Sequence, residues 1–137
     1  MTRQAHANPG AAEKAFYAAF VDCDIEAMRS IWSGEDALCV HPGAAPLLGY
    51  AAVLRSWEHI FDGAVMPRMQ VRVLHRIVGD DLAIHLVEER IANPSEPGAD
   101  ALVLATNTYR RLPQGWLMVA HQGTRVTQAK GPAPTLQ

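Results

Sequence analysis

His41 closes a short apolar run, Ala37-Leu38-Cys39-Val40, and Pro42-Gly43 breaks the chain directly after it. An imidazole titrates near neutral pH, so a histidine in such a place can take up and return a proton. It can equally line a pocket as a hydrogen-bond partner. Asn107 can donate an amide hydrogen to a ligand oxygen, or tie a sheet to a helix as a buried amide. Tyr109 can bond a ligand, or pack with its hydroxyl satisfied inside the protein. Glu88 and Glu89 are neighbours in an apolar stretch, where a buried carboxyl needs either a raised pKa or a partner. These residue types suit proton transfer beside an oxygen. The chain has no glycine-rich phosphate loop, no nucleophile elbow and no CxxC pair, so phosphate, hydride and thiol chemistry find no local support.

The elements that must position these groups follow from periodicity. Residues 10 to 23 carry Ala15, Phe16, Ala19, Phe20 and Cys23 at helical spacing. Asp24 is a suitable N-cap for a second helix, Ile25 to Trp32. Pro42 pushes His41 out of the helical region, so Ala37 to Val40 reads as a buried strand with His41 at its mouth. Ala44 to Gly49 reads as a loop. A third helix runs from Tyr50 to Phe61, with Val53, Leu54, Trp57, Ile60 and Phe61 as its apolar stripe. Trp57 is expected in the core, with a pocket wall as its other reading. The second half reads as four strands, at Met69 to Val78, Leu82 to Ile91, Ala101 to Leu112 and Trp116 to Val126. Tight connections imply an antiparallel meander.

Strand alternation then assigns faces. Ala105, Asn107 and Tyr109 share one. Glu88 has the parity of Leu82, Ile84, Leu86 and Arg90, which favours Glu88 over Glu89 as the inward carboxyl. His85, of opposite parity, is expected to face a partner subunit. Alternation from Trp116 and Met118 puts Gln122, rather than His121, toward the pocket, unless a bulge reverses it.

Composition bounds the rest. The 137 residues suffice for one domain, and the 49% hydrophobic and 19% charged fractions are ordinary for a globular protein. A net charge of −2 with no basic block argues against nucleic acid. No apolar run approaches the roughly 20 residues that span a bilayer. The start of the chain lacks the apolar middle of a secretion signal, and two cysteines, Cys23 and Cys39, fit a reducing cytoplasm. The histidines His6, His59, His75, His85 and His121 show no metal-binding spacing, so no metal is expected. Residues 1 to 9 read as a flexible arm, 10 to 126 as a single domain, and 127 to 137 as a flexible tail. Helices followed by strands imply an α+β architecture.

Asp24-Ile25-Glu26-Ala27-Met28, Val40-His41-Pro42-Gly43, Gly49, Asn107-Thr108-Tyr109-Arg110-Arg111 and Gly115-Trp116 stand in an order and at distances that resemble the nuclear transport factor 2-like superfamily. Within it, the chain resembles the SnoaL-like and ketosteroid isomerase-like proteins over residues 11 to 126. The resemblance implies a cone-shaped, cystatin-like fold, in which three N-terminal helices cover a curved antiparallel sheet. It also implies a homodimer through the sheet. In the isomerases an Asp before a Pro shuttles the proton, and His41 takes that place here. Tyr17 is the nearest match to a helical Tyr that bonds the oxyanion, allowing a one-residue gap in the following loop. Asn107 stands where a protonated Asp does so from the third long strand.

The expected function is a pocket protein acting without metal or cofactor as an isomerase, cyclase or lyase on a small apolar molecule. His41, Tyr17 and Asn107 would carry the chemistry, and Trp57, Glu88, Tyr109 and Gln122 would line the ligand. The alternative is a binding or dimerisation domain of the same shape with no catalysis.

Overall fold

The computed structural model describes residues 6–63, 68–96 and 98–127. The stretch expected as a tail lies outside the described residues except for Thr127, and residues 1–5 of the expected arm do so as well. The rest of the expected arm is engaged: the His6 carbonyl accepts from Trp116 N at 2.8 Å, and Asn8 caps the first helix.

That helix, α1, runs Pro9–Asp22. The Asn8 side chain accepts from Ala11 N at 2.8 Å, and Pro9 supplies a first-turn residue that needs no N–H partner. Cys23 ends it in the left-handed conformation, φ 51°. The second helix, α2, spans Ile25–Arg29 behind the Asp24 cap. It is shorter than expected. After Ser30 the chain turns extended, because the edge of a strand offers backbone partners: Ser33 N donates to Met118 O, and Met118 N to Ile31 O, each at 2.8 Å. Ile31 and Trp32 are still buried, as their apolar spacing requires.

Strand β1 is Leu38–Val40 and β2 is Leu47–Leu48. The latter lies in the stretch read as loop; two residues between Pro46 and Gly49 are too few to show a period. Helix α3, Tyr50–Phe61, and strands β3, Met69–Val78, β4, Leu82–Ile91, and β5, Ala101–Leu112, match expectation, and β6 is Gly115–Arg125. The sheet order is β2-β1-β6-β5-β4-β3. The long strands form the antiparallel meander, while β1 joins β6 in parallel, with Cys39 opposite His121. Three helices and one curved sheet make the architecture α+β.

Two bulges matter. Leu74 is extra in β3, and Val119 is extra in β6, where Thr108 pairs with Ala120 and Tyr109 with Met118. Each reverses the parity of its strand at that point. The helices cover the inner face of β4, β5 and β6. Edge strand β3 is covered only where Met69 and Val73 pack against the core, and Ile77 and Val78 are 57% and 64% exposed. At the other end, Pro42 packs onto Gly123 of β6. A Cβ there would stand 3.1 Å from Val103 Cγ1 and 3.3 Å from Pro42 Cγ, so the small residue seats the chain just after His41.

The core between helices and sheet centres on Phe16, which is fully buried. Its ring meets Tyr17 at 4.8 Å, His121 at 5.0 Å, Trp57 at 5.6 Å and Trp32 at 6.2 Å, mostly edge to face. Among the described residues, no helix is long and apolar enough to cross a membrane. Phe16→Ala is expected to destabilise the fold by about 3–5 kcal/mol, read as a lower urea midpoint.

Candidate functional site

Residues directly opposite in a sheet point to the same face, so one rank of side chains can cross several strands at roughly 4.8 Å intervals. Here Cys39 of β1, His121 of β6, Asn107 of β5 and His85 of β4 are successive partners and form such a rank. All four are buried. Glu89 and Tyr109 lie on the same inner face, displaced along β4 and β5. Above the rank lies α1, whose Glu13 and Tyr17 are four residues apart and therefore one above the other on its inward side. His41 follows β1 and is half-buried at the rim.

The hydrogen bonds run in one direction. His121 Nδ1 pairs with Asn107 Oδ1 at 2.5 Å, and Asn107 Nδ2 donates to the Tyr17 hydroxyl oxygen at 3.0 Å. Tyr17 donates to Glu89 Oε2 at 2.6 Å. A second centre is Glu13 Oε2. It accepts from Tyr109 at 2.8 Å, pairs with His85 Nδ1 at 2.9 Å and lies 3.4 Å from Asn107 Nδ2. Both carboxyl groups are thus answered by protein donors, as buried acceptors must be. At the rim, His41 Nε2 pairs with Ser56 Oγ at 2.7 Å, and its ring stands edge-on to Trp57 at 4.9 Å. The Cys39 thiol is 3.7 Å from the same nitrogen.

Burial governs the electrostatics. Desolvation raises the Glu89 carboxyl above its usual range, and the bond from Tyr17 offsets part of this. Desolvation, then the Glu89 charge, pushes the Cys39 thiol up to about 12, which makes it a poor nucleophile. The Tyr17 and Tyr109 hydroxyls are raised by burial first and by their carboxyl partners second, so both remain donors. His121 is lowered to about 3 by desolvation, then by His41, and His41 is lowered by desolvation. Both imidazoles are neutral at pH 7.

The structure brings Tyr17, Asn107 and Tyr109 together, with Trp57 and His41 beside them. It turns two expected residues away. Glu88 faces outward, where Arg72 Nη2 reaches it at 3.2 Å, and Glu89 is the buried carboxyl. The reason is that β4 is apolar on both faces: Leu82, Ile84 and Leu86 form the outer one, so their parity misled the assignment. For the same reason His85 points inward instead of toward a partner subunit. Gln122 is exposed and His121 buried, because the Val119 bulge reverses β6.

Sequence reasoning also missed Glu13. Its signal was present: it lies three and four residues before Phe16 and Tyr17, on the buried stripe of α1. A charge there needs a partner.

The chain matches the family model described as SnoaL-like domain over residues 11–127. Among solved structures, it is 38% identical to a protein from Thiobacillus denitrificans provisionally named a calcium/calmodulin-dependent protein kinase type II association domain. The TM-score is 0.86, covering 91% of this chain and 100% of the other. A Streptomyces avermitilis protein provisionally named a dehydratase of the NTF2-like family is 32% identical, with a TM-score of 0.78, covering 87% and 94%. A ketosteroid isomerase-like protein from Erwinia carotovora atroseptica, 18% identical with a TM-score of 0.72 over 87% and 94%, shares the fold. No curated protein matches the sequence.

The buried groups set opposite pH responses. A carboxyl raised on folding holds its proton more tightly in the native state, so Glu89 costs stability progressively as pH rises above about 4.5 and through its folded value. His121, lowered from 6.5 to about 3, binds its proton more tightly when unfolded, so stability is lost as pH falls through that window. Urea titrations across pH should show Glu89→Gln flattening the alkaline loss and His121→Gln flattening the acid loss. The two variants should therefore act at opposite ends of the pH range.

Proposed function

Because the chain belongs to the SnoaL-like domain family, in the nuclear transport factor 2-like superfamily, we propose that its interior binds a small, mostly apolar molecule and moves a proton next to that molecule's carbonyl. The observation that carries this reading is Glu89, a buried carboxyl of raised pKa held at the end of a directed chain of donors. A carboxyl kept neutral in an apolar setting can donate a hydrogen bond to a developing oxyanion.

His41 is the base in this scheme. It is neutral, half-buried and at the rim, and in this scheme Nε2–H donates to Ser56 Oγ, so that Nδ1 presents its lone pair to the substrate. Cys39 adjoins His41, and Glu89 lies on the same inner face of the sheet as Cys39. The C–H bond beside the carbonyl breaks, its proton passes to Nδ1, and the electron pair moves onto the carbonyl oxygen. Glu89 donates to that oxygen. Returning the proton to another carbon makes an isomerase or cyclase; expelling a neighbouring group makes a lyase. Tyr17 and Asn107, expected to bond the ligand oxygen themselves, serve it through Glu89, since their donors are already engaged. Trp57 forms the wall beside His41, and Tyr109 holds Glu13. The dehydratase name of the Streptomyces relative agrees with a lyase.

A second reading, self-association without catalysis, draws on the outer face of the sheet. Ile77, Leu82 and Leu86 lie together there, 57%, 46% and 36% exposed. Apolar clusters of this kind on a sheet commonly pack against another copy. The Thiobacillus relative is named as an association domain. Sedimentation is expected to find a homodimer, which Leu86→Glu converts to a folded monomer.

For the catalytic reading, a panel of enolisable ketones is the test. His41→Ala and Glu89→Gln are each expected to lower kcat/KM by about 10²–10⁴-fold. The wild-type profile should be bell-shaped, with the acid limb below 6.5 from His41 and the alkaline limb above 4.5 from Glu89. No turnover of any ketone by the wild type would overturn this reading.

A further inference from the structure

Arg90 and Arg125 line one cavity of about 490 Å³, at the end of the sheet where β4 leaves, β5 begins and β6 ends. Asp100, Leu102 and Thr127 are among its other walls. Arg90 stands opposite Gln70 of β3 and Leu102 of β5, on the outer face, and is half-buried. A guanidinium carries five N–H donors and keeps its charge at any ordinary pH. A charge drawn partly out of water needs an acceptor. Among the described residues, Arg90 has neither an ion-pair partner nor a hydrogen-bond acceptor. Glu88, the carboxyl beside it on the same face, is taken by Arg72 at 3.2 Å. Arg125 is exposed and likewise pairs with no described residue. Asp100 is exposed in the cavity wall and pairs with neither arginine among the described residues. Two guanidiniums against one carboxylate leave a local positive excess, in a chain whose net charge is −2. Arg125 follows Gly123 by two positions, roughly 7 Å along β6. Gly123 is where Pro42 seats the chain after His41, so the cavity lies at the same end of the sheet as the rim.

We propose that this cavity binds a small oxyanion, a phosphate or carboxylate group, between the guanidiniums of Arg90 and Arg125. The site is separate from the catalytic reading and uses neither His41 nor Glu89. Its chemistry selects the ligand class. A cation would meet two fixed positive charges. A neutral apolar molecule would leave the Arg90 donors unanswered and bury them further. Two arginines without a basic stripe around them are too few for a nucleic-acid backbone. An oxyanion supplies acceptors to both planar forks, the pairing for which guanidinium is suited best.

The test uses the full chain with ¹⁵N-labelled arginine, and inorganic phosphate and acetate as probes. ¹H–¹⁵N spectra just below neutral pH read each Nε–H separately, with Arg90→Gln and Arg125→Gln assigning the two signals. Phosphate or acetate should move both signals saturably. Arg55, exposed on α3, should stay in place as the internal control. Chloride at matched ionic strength should move none of them. Each variant should weaken binding of the tighter probe by at least about tenfold. Tighter binding of phosphate assigns the cavity to a phosphate group, and tighter binding of acetate to a carboxylate. No saturable response to either probe, an equal response at Arg55 or to chloride, or undiminished binding in the double variant would overturn the proposal. Arg125 is exposed, so Arg125→Gln and the wild-type spectra decide the matter if Arg90→Gln fails to fold. Ketone turnover plays no part in this reading, so either proposal can fail without the other.

Discussion

Glu13 and Glu89 are two carboxyl groups in an interior that water barely reaches, and most of the buried polar architecture answers them. A buried acceptor without a donor costs about 1–3 kcal/mol, and more for a charge. Glu89 is therefore met by Tyr17, and Glu13 by Tyr109, His85 and Asn107. These contacts join α1 to β4 and β5. They also restrict how α1 can sit: rotation by one residue would carry Glu13 and Tyr17 away from the rank together. Aromatic packing around Phe16 would tolerate small shifts, whereas hydrogen bonds of 2.6–2.9 Å would not.

The same arrangement sorts the titratable groups by role. Desolvation acts on all of them, but its sign depends on which form is charged. It keeps Glu89 protonated more readily, strips protons from His41 and His121, and locks protons onto Cys39, Tyr17 and Tyr109. Burial thus favours the uncharged form of each of these groups.

Two surfaces of one sheet thus serve different ends. The inner face of β4 carries Ala83, His85, Val87 and Glu89 under α1, while the outer face carries Ile84 and Leu86 with Leu82. The Val119 bulge sets which residues of β6 join the interior, and it brings His121 into line with Asn107. Without it, Gln122 would occupy that place and the donor chain would begin from an amide.

The element types other than β2, the extents of α3, β3, β4 and β5, the α+β class and the family were legible in the sequence. Each depends on local periodicity, breakers or motif order, which neighbouring residues carry among themselves. Asn107 and Tyr109 were read onto one face for that reason, and His41 was placed at a strand end by Pro42. The facing of Glu88 against Glu89, of His121 against Gln122, and the inward turn of His85 were decided by the tertiary structure alone. A strand that is apolar on both sides has no parity signal for the interior, and a bulge shifts parity by one without any mark in composition. The union of Glu13 with His85, 72 positions apart, was likewise out of reach, because their contact exists only once α1 lies across the sheet.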